Sequence, residues 1–186
     1  MVPDDSLTAL LKACHGKDFR AKRDEAIIRV FWEMGGHRLA EMAGMRLDSI
    51  ARRPQIIKAT GKGNKSRLIP YGAKIAVALD RYLRLRAMHR YASSPYLRVS
   101  RYGRLTPSGI AQLLTQRARL AEIGSIHPHQ LRHTDAHTWF ANGGSESDAM
   151  MLSGWSSREM PARYGRSAAA ERAQNASRRA SLGDRL

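Results

Sequence analysis

A mainly α-helical domain with one small antiparallel sheet, an α+β arrangement, follows from three features of this 186-residue chain. Apolar residues recur at helical spacing along most of its length. Two β-rich runs flank a glycine-rich turn, GKGNK, at residues 61–65. Elsewhere, Ser- or Thr-led starts and glycine-rich stops punctuate the helical stretches.

Each element has its own signal. Residues 4–14 read as a short helix, and 21–34 as a stronger one with Ala26, Ile27, Val30, Phe31 and Met34 on one face. The pair Gly35–Gly36 ends it, and a short helix carrying Arg38 and Glu41 follows. Gln55 to Thr60 and Ser66 to Pro70 are the strands of a hairpin. Residues 73–90 set Ile75, Leu79, Tyr82, Leu83 and Arg86 at helical spacing. Thr106 and Pro107 are an N-cap and a first-turn proline, opening a helix with Ile110, Leu113, Leu114 and Ala118 inward. A helix over 129–141 stops at Asn142-Gly143-Gly144. Ser145 to Asp148 starts another that runs to Leu152. Residues 168–180 are expected as a last helix on a flexible lead, so the chain divides into a domain over 1–166 and a tail over 167–186.

Composition narrows the partner. A hydrophobic share of 42% supports a core, while 32 Lys and Arg against 16 Asp and Glu leave a net charge of +16 and a pI near 11.0. Self-repulsion of that size points to a polyanionic ligand, nucleic acid first and an acidic membrane surface second. No apolar run approaches the ~18 residues that would span a bilayer, and MVPDDSLTALLK lacks a signal-peptide layout. The single cysteine, Cys14, allows neither an internal disulfide nor a thiolate zinc cluster. A cytosolic setting is expected.

Individually, the polar candidates are ordinary. Arg38 suits a helix start, Lys62 a charged hairpin tip, and His129 with Arg132 one face of a helix. Trp155 suits a core, and Tyr164 stands between arginines in PARYGR. Their order is more specific. Lys62 lies 24 residues after Arg38, Trp155 lies 23 after Arg132, and Tyr164 lies nine after Trp155. With RDEAII, GGHRLAEM, GKGNKSRLIP, IHPHQLRHT and LSGW, the chain from about Arg23 to Arg166 resembles the catalytic domain of the tyrosine recombinase (phage integrase) family. The resemblance implies a DNA-cleaving site of Arg38, Lys62, His129, Arg132, Trp155 and Tyr164, a 3′-phosphotyrosyl link, and a tetramer acting on double-stranded DNA without a cofactor.

The chemistry of these groups fits that implication. A phenol, Tyr164, can attack phosphorus and store the bond energy as an ester. Arg38 and Arg132 can grip the two non-bridging oxygens in forked geometry. Lys62, on a hairpin, is placed to protonate the departing 5′ oxygen. His129 can assist deprotonation of the phenol, its ordinary pKa being near neutrality. Glu41, three residues after Arg38, would steady that arginine. Tryptophan at 155 replaces the commoner histidine and can donate a hydrogen bond but cannot shuttle a proton. His37 and Asp135 also depart from the usual family residues, outside the reacting set.

Three other readings are available. His129, His133 and His137 at intervals of four could hold a metal, although the glutamate a zinc peptidase needs is missing. In the alternative without metal, His133 bonds a backbone carbonyl and His137 is an ordinary helix residue. A DNA-binding module that cleaves nothing would need the charge but not the tyrosine. A type IB topoisomerase would share the chemistry without exchanging strands. The N-terminal helical domain of family members is not expected here, so the chain reads as a catalytic fragment or, as the second choice, an unusually short member. The tail after Tyr164 has a small alanine face that could dock on a neighbouring protomer.

Overall fold

Helix α2 (Phe19–Glu33) is apolar enough to be enclosed by its neighbours, with Ala26, Ile27, Ile28, Val30 and Phe31 all buried. The computed structural model describes residues 1–33 and 38–180, with the backbone alone for Glu33 and Lys62. Met34 to His37 and Ser181 to Leu186 lie outside the described residues, and with them the glycine pair and His37. Helix α2 packs on α4 (Ala73–Ala87), while α1 (Asp4–Lys12) and α3 (Leu39–Gly44) pack on α5 (Pro107–Leu120). Asp4 and Asp5 in the first turn of α1 complement its helix dipole, while Leu7 and Leu10 turn inward. Thr106 caps α5 by accepting the Gly109 N–H at 3.1 Å.

Strands β1 (Ile50–Ala51), β2 (Ile56–Thr60) and β3 (Ser66–Pro70) form one antiparallel sheet in that order. Ile57 pairs with Ile69 and Ala59 with Arg67. Alternation therefore turns Ile57, Ala59, Arg67 and Ile69 toward the core and leaves Lys58 and Leu68 outside. The link between β2 and β3 is a short 3-10 turn, Lys62–Asn64, in which Gly63 and Asn64 both take positive φ (75° and 58°). That demand accounts for the Gly-Asn pair in GKGNK. A second ribbon, β4 (Val99–Ser100) with β5 (Gly103–Arg104), is not evident in the sequence. Arg86, buried at the end of α4, donates to the carbonyls of Ala92, Ser94, Tyr96 and Leu97 and so holds the loop leading to that ribbon.

The chain ends in α6 (Pro128–Ala141), α7 (Glu146–Ser153), α8 (Glu159–Ser167) and α9 (Ala169–Ala180). Their apolar faces make a second, smaller core of Ala136, Phe140, Ala141, Ala149, Trp155, Tyr164 and Ala168. Here the sequence reading needs correction. The lead into the last helix is α8, not a flexible segment. Pro161 and Gly165 hide it, but Pro161 falls in the first turn, where no backbone N–H is required. Helix α9 packs on α6 of its own chain, Asn175 donating to the Ala141 carbonyl at 3.4 Å.

Asp24 is the polar pin of the main core. Its carboxylate is 1% exposed and receives Arg23 at 2.8 Å and Arg117 of α5 at 2.8 Å. Arg117 also donates to the Ala13 carbonyl at 2.7 Å, which ties α1, α2 and α5 together. Removing the carboxylate strands two guanidiniums in low dielectric. Asp24→Ala is expected to lower unfolding free energy by about 3–5 kcal/mol, measured by urea denaturation.

Candidate active site

Three elements from separate parts of the chain meet where the two cores join. The first is α3. Arg38 is its N-cap, and the Arg38 N–H donates to Glu41 Oε2 at 3.2 Å while its guanidinium lies 3.9 Å from Glu41 Oε1. The Arg38 side chain is 55% exposed and that of Glu41 only 7%, so the carboxylate is inside and the cation faces out. At the other end of α3, Arg98 donates to the Met42 carbonyl at 2.6 Å and Arg104 to the Ala43 carbonyl at 3.2 Å. Two cations at a helix C-terminus satisfy its orphan carbonyls and complement its dipole. Arg98 is fully buried and burial pushes its pKa down to about 10, which still leaves it charged at neutral pH.

The second element is α6. Pro128 opens it, and Gln130 Oε1 reaches back to accept the His127 N–H at 2.6 Å. His129 is exposed and Arg132, three residues on, is half-buried. Burial, then the charge of Arg38, holds the Arg132 guanidinium below its ordinary pKa, while Tyr164 and Glu41 act in the opposite sense and Arg67 adds to the lowering. Residues 38, 41, 67, 132 and 164 thus share one electrostatic neighbourhood.

The third element is the run from α7 to α8. Gly154 ends α7 in the left-handed region at φ 66°, which suits glycine. Trp155 follows, buried, with an indole N–H that has no hydrogen-bond partner among the described residues. The Arg132 guanidinium carbon lies 5.8 Å from the Trp155 ring. Tyr164 of α8 is 3% exposed and stacks on Trp155, centroids 5.5 Å apart at 18°. Burial pushes its phenol above the ordinary tyrosine pKa, with Arg132 and Arg163 pulling the other way. The phenol is therefore neutral at physiological pH.

A row of imidazoles leads from solvent to that phenol. His127 and His129 are nearly parallel at 5.8 Å, His129 and His133 are edge to face at 6.0 Å, and His133 meets Tyr164 at 5.1 Å. His133 thus stands between His129 and Tyr164. The expected carbonyl bond from His133 is not found among the described residues; its neighbours are rings. His137 also departs from expectation, with Nε2 3.3 Å from the Ser167 carbonyl and Nδ1 3.8 Å from Glu171, joining α6 to the two last helices. A cavity of about 360 Å³ opens here, lined by Gln130, His133, His137, Arg163, Tyr164 and Ser167. Among the described residues, no three His, Cys, Asp or Glu side chains are grouped to hold a metal.

The structure therefore brings Arg38, Glu41, Arg132, Trp155 and Tyr164 together. It puts His129 one ring away from the phenol. The backbone of Lys62 is at the hairpin tip, and its side chain lies outside the described residues. Two residues of this neighbourhood lie outside the set read from the sequence: Arg67, and His133, for which the sequence offers only a metal-ligand or carbonyl-bonding reading. Arg67 had a usable signal: strand alternation places it on the same face as Ile69, and an inward arginine demands a buried partner.

A helical domain with small antiparallel sheets, presenting two arginines, a buried indole and a tyrosine to one spot, is the arrangement of a tyrosine recombinase catalytic domain. The chain belongs to the phage integrase family, whose model matches residues 1–171. It is 38% identical over 133 residues to the tyrosine recombinase XerC of Pseudomonas fluorescens and 40% over 134 residues to that of Azotobacter vinelandii. Each match covers 71% of this chain and 44% of the relative, so the match spans less than half of those proteins. Among solved structures, it resembles the XerA recombinase (TM-score 0.76, 26% identity, 88% of this chain and 57% of that one). It also shares its fold with the XerH recombinase bound to palindromic difH in a post-cleavage complex (TM-score 0.77, 17% identity, 94% and 51% covered).

The imidazole beside Tyr164 has a testable titration. Burial, then Arg163 and His129, lower the His133 pKa below its ordinary 6.5. The folded state binds this proton more weakly than the unfolded chain. Its stabilising contribution is therefore complete above the unfolded value and is lost as pH falls through the folded one. Tm should fall less between about pH 7 and about pH 5 in His133→Gln than in the unsubstituted protein, as read by thermal melts.

Proposed function

We propose that the chain is the catalytic part of a site-specific DNA recombinase that cuts and rejoins DNA without a metal. Tyr164 attacks a backbone phosphorus, the bond to the 5′ oxygen breaks, and a 3′-phosphotyrosyl ester and a free 5′-hydroxyl result. Attack by a 5′-hydroxyl of another strand reverses the step and releases the tyrosine. Arg38 and Arg132 hold the non-bridging oxygens, and the indole N–H of Trp155 adds a third donor. Lys62 protonates the leaving oxygen. His129 receives the phenol proton by way of the ring row in which His133 stands next to Tyr164.

The observation that carries this reading is the company kept by Tyr164. A buried phenol is stacked on an indole whose N–H has no acceptor among the described residues, with the guanidinium of Arg132 beside both. Two arginines that repel each other across this spot are relieved by an anion placed between them. A transition-state phosphorane carries the charge they match. Losing one such contact costs about 3–4 kcal/mol of barrier, a hundred- to thousandfold in rate.

Strand exchange joins four DNA ends, so the working form proposed is a homotetramer on two duplexes in the bacterial or phage-infected cytoplasm. Among the described residues, no helix is long and apolar enough to cross a membrane. The tail is proposed to move onto a neighbouring protomer in that assembly. On its own chain α9 is held by polar contacts that include Asn175 to the Ala141 carbonyl at 3.4 Å, Arg172 to the Gly165 carbonyl at 3.3 Å and Glu171 to His137 at 3.8 Å, all of them long.

A nicked suicide substrate tests the chemistry. The unsubstituted protein should form a covalent DNA adduct that maps to Tyr164. Tyr164→Phe should form none, while its salt-sensitive DNA retention in a gel-shift assay stays within about twofold. Binding by both proteins with no adduct from either would instead favour a DNA-binding module.

A further inference from the structure

The geometry points to Arg67, on the inward face of β3, as the positioning residue that sets Arg38 and Trp155 relative to one another. The inference rests on the recombinase reading and adds a residue to it. Arg67 Nη2 donates to Glu41 Oε2 at 2.7 Å, the same oxygen that accepts the Arg38 N–H. Its Nε donates to the Leu152 carbonyl at 2.8 Å, in the last turn of α7. Its Nη1 lies against Gly154, where an added Cβ would stand only 3.1 Å away. The same nitrogen is near Gly61, with a Cβ there 3.4 Å away, at the residue before Lys62.

One planar group therefore touches the three segments that lead to Arg38, Lys62 and Trp155. Its side chain is 10% exposed and that of Glu41 is 7%, so both are largely withdrawn from solvent. Lysine substitutes only in part, because a point ammonium lacks the fixed fork that spans a carboxylate on one side and a carbonyl on the other. The two residues held in place carry the donors that meet the transition state, and donors of that kind must keep their geometry within about 0.5 Å. A shift of about 1 Å at such a group costs about a hundredfold in rate.

The experiment uses the full chain and three suicide substrates. One has an ordinary scissile phosphodiester; the other two are the stereoisomers of the neutral methylphosphonate, in which a methyl group replaces one non-bridging oxygen. A misplaced guanidinium should matter less where the oxygen it neutralises has gone. Arg67→Gln is expected to slow Tyr164 adduct formation on the phosphodiester about a hundredfold. DNA retention should remain within about twofold, since the side chain is inside. On at least one methylphosphonate isomer the deficit should shrink to about tenfold or less. Glu41→Gln should reproduce the pattern, and Arg67→Lys should show it in weaker form.

Circular dichroism melts check that each variant is folded; where Arg67→Gln is not, Arg67→Lys and Glu41→Gln carry the same criterion. An equal deficit on all three substrates, or none on the phosphodiester, overturns the positioning role. Failure of the unsubstituted chain to form an adduct with any of the three overturns the recombinase reading itself, and this inference with it.

Discussion

The buried Glu41 carboxylate is the constraint on which the rest of the site depends. It lies between an exposed arginine and an inward one, and its two oxygens are divided between them. An unpaired carboxylate at that depth would be costly, and an unpaired Arg67 no less so. Each therefore requires the other, and the pair joins α3 to the sheet. Arg98 and Arg104 then hold the far end of α3 through its last carbonyls. A helix of six residues has little stability of its own; here it is gripped at both ends by charged side chains. That is how a cation facing solvent can nonetheless be held in position.

The division into two cores is the second organising fact. The larger core is built on α2 and keeps Asp24 with its two arginines inside. The smaller one, under α6 to α9, contains Trp155 and Tyr164 among its own apolar residues. Tyr164, the proposed nucleophile, is thus part of a core while lying next to a polar site. Its stack on Trp155 fixes the ring plane, and burial keeps its proton on. The same apolar setting that orders the phenol also makes it a poor nucleophile until a base and an anion arrive.

Much of this was legible in the sequence, for identifiable reasons. Long helices with a repeating apolar face, such as α2, α4 and α5, carry enough period to be read directly. The hairpin was legible because its tip needs positive φ at Gly63 and Asn64. Strands of two residues, β1, β4 and β5, have no period to detect. Helix α8 was hidden by Pro161 and Gly165, residues that usually end helices and here fall where they do no harm. The residues proposed to react are linked in the sequence only through the order of their motifs, because positions 38, 132, 155 and 164 are too far apart for any local pattern to join them. The inward arginine at 67 was readable from alternation but was taken for part of a motif. The ring contacts of His133 depend on how α6 meets α8, which no local pattern encodes.

The indole N–H of Trp155 leaves one consequence to draw. A buried donor without an acceptor costs about 1–3 kcal/mol that the folded protein carries at rest. That free energy returns only when an incoming group places a lone pair at that spot. A ligand that neutralises the arginines without bringing a lone pair to that position leaves the penalty standing. An anion seated between the arginines with an acceptor atom at the indole would be favoured on two counts at once, charge and hydrogen bonding.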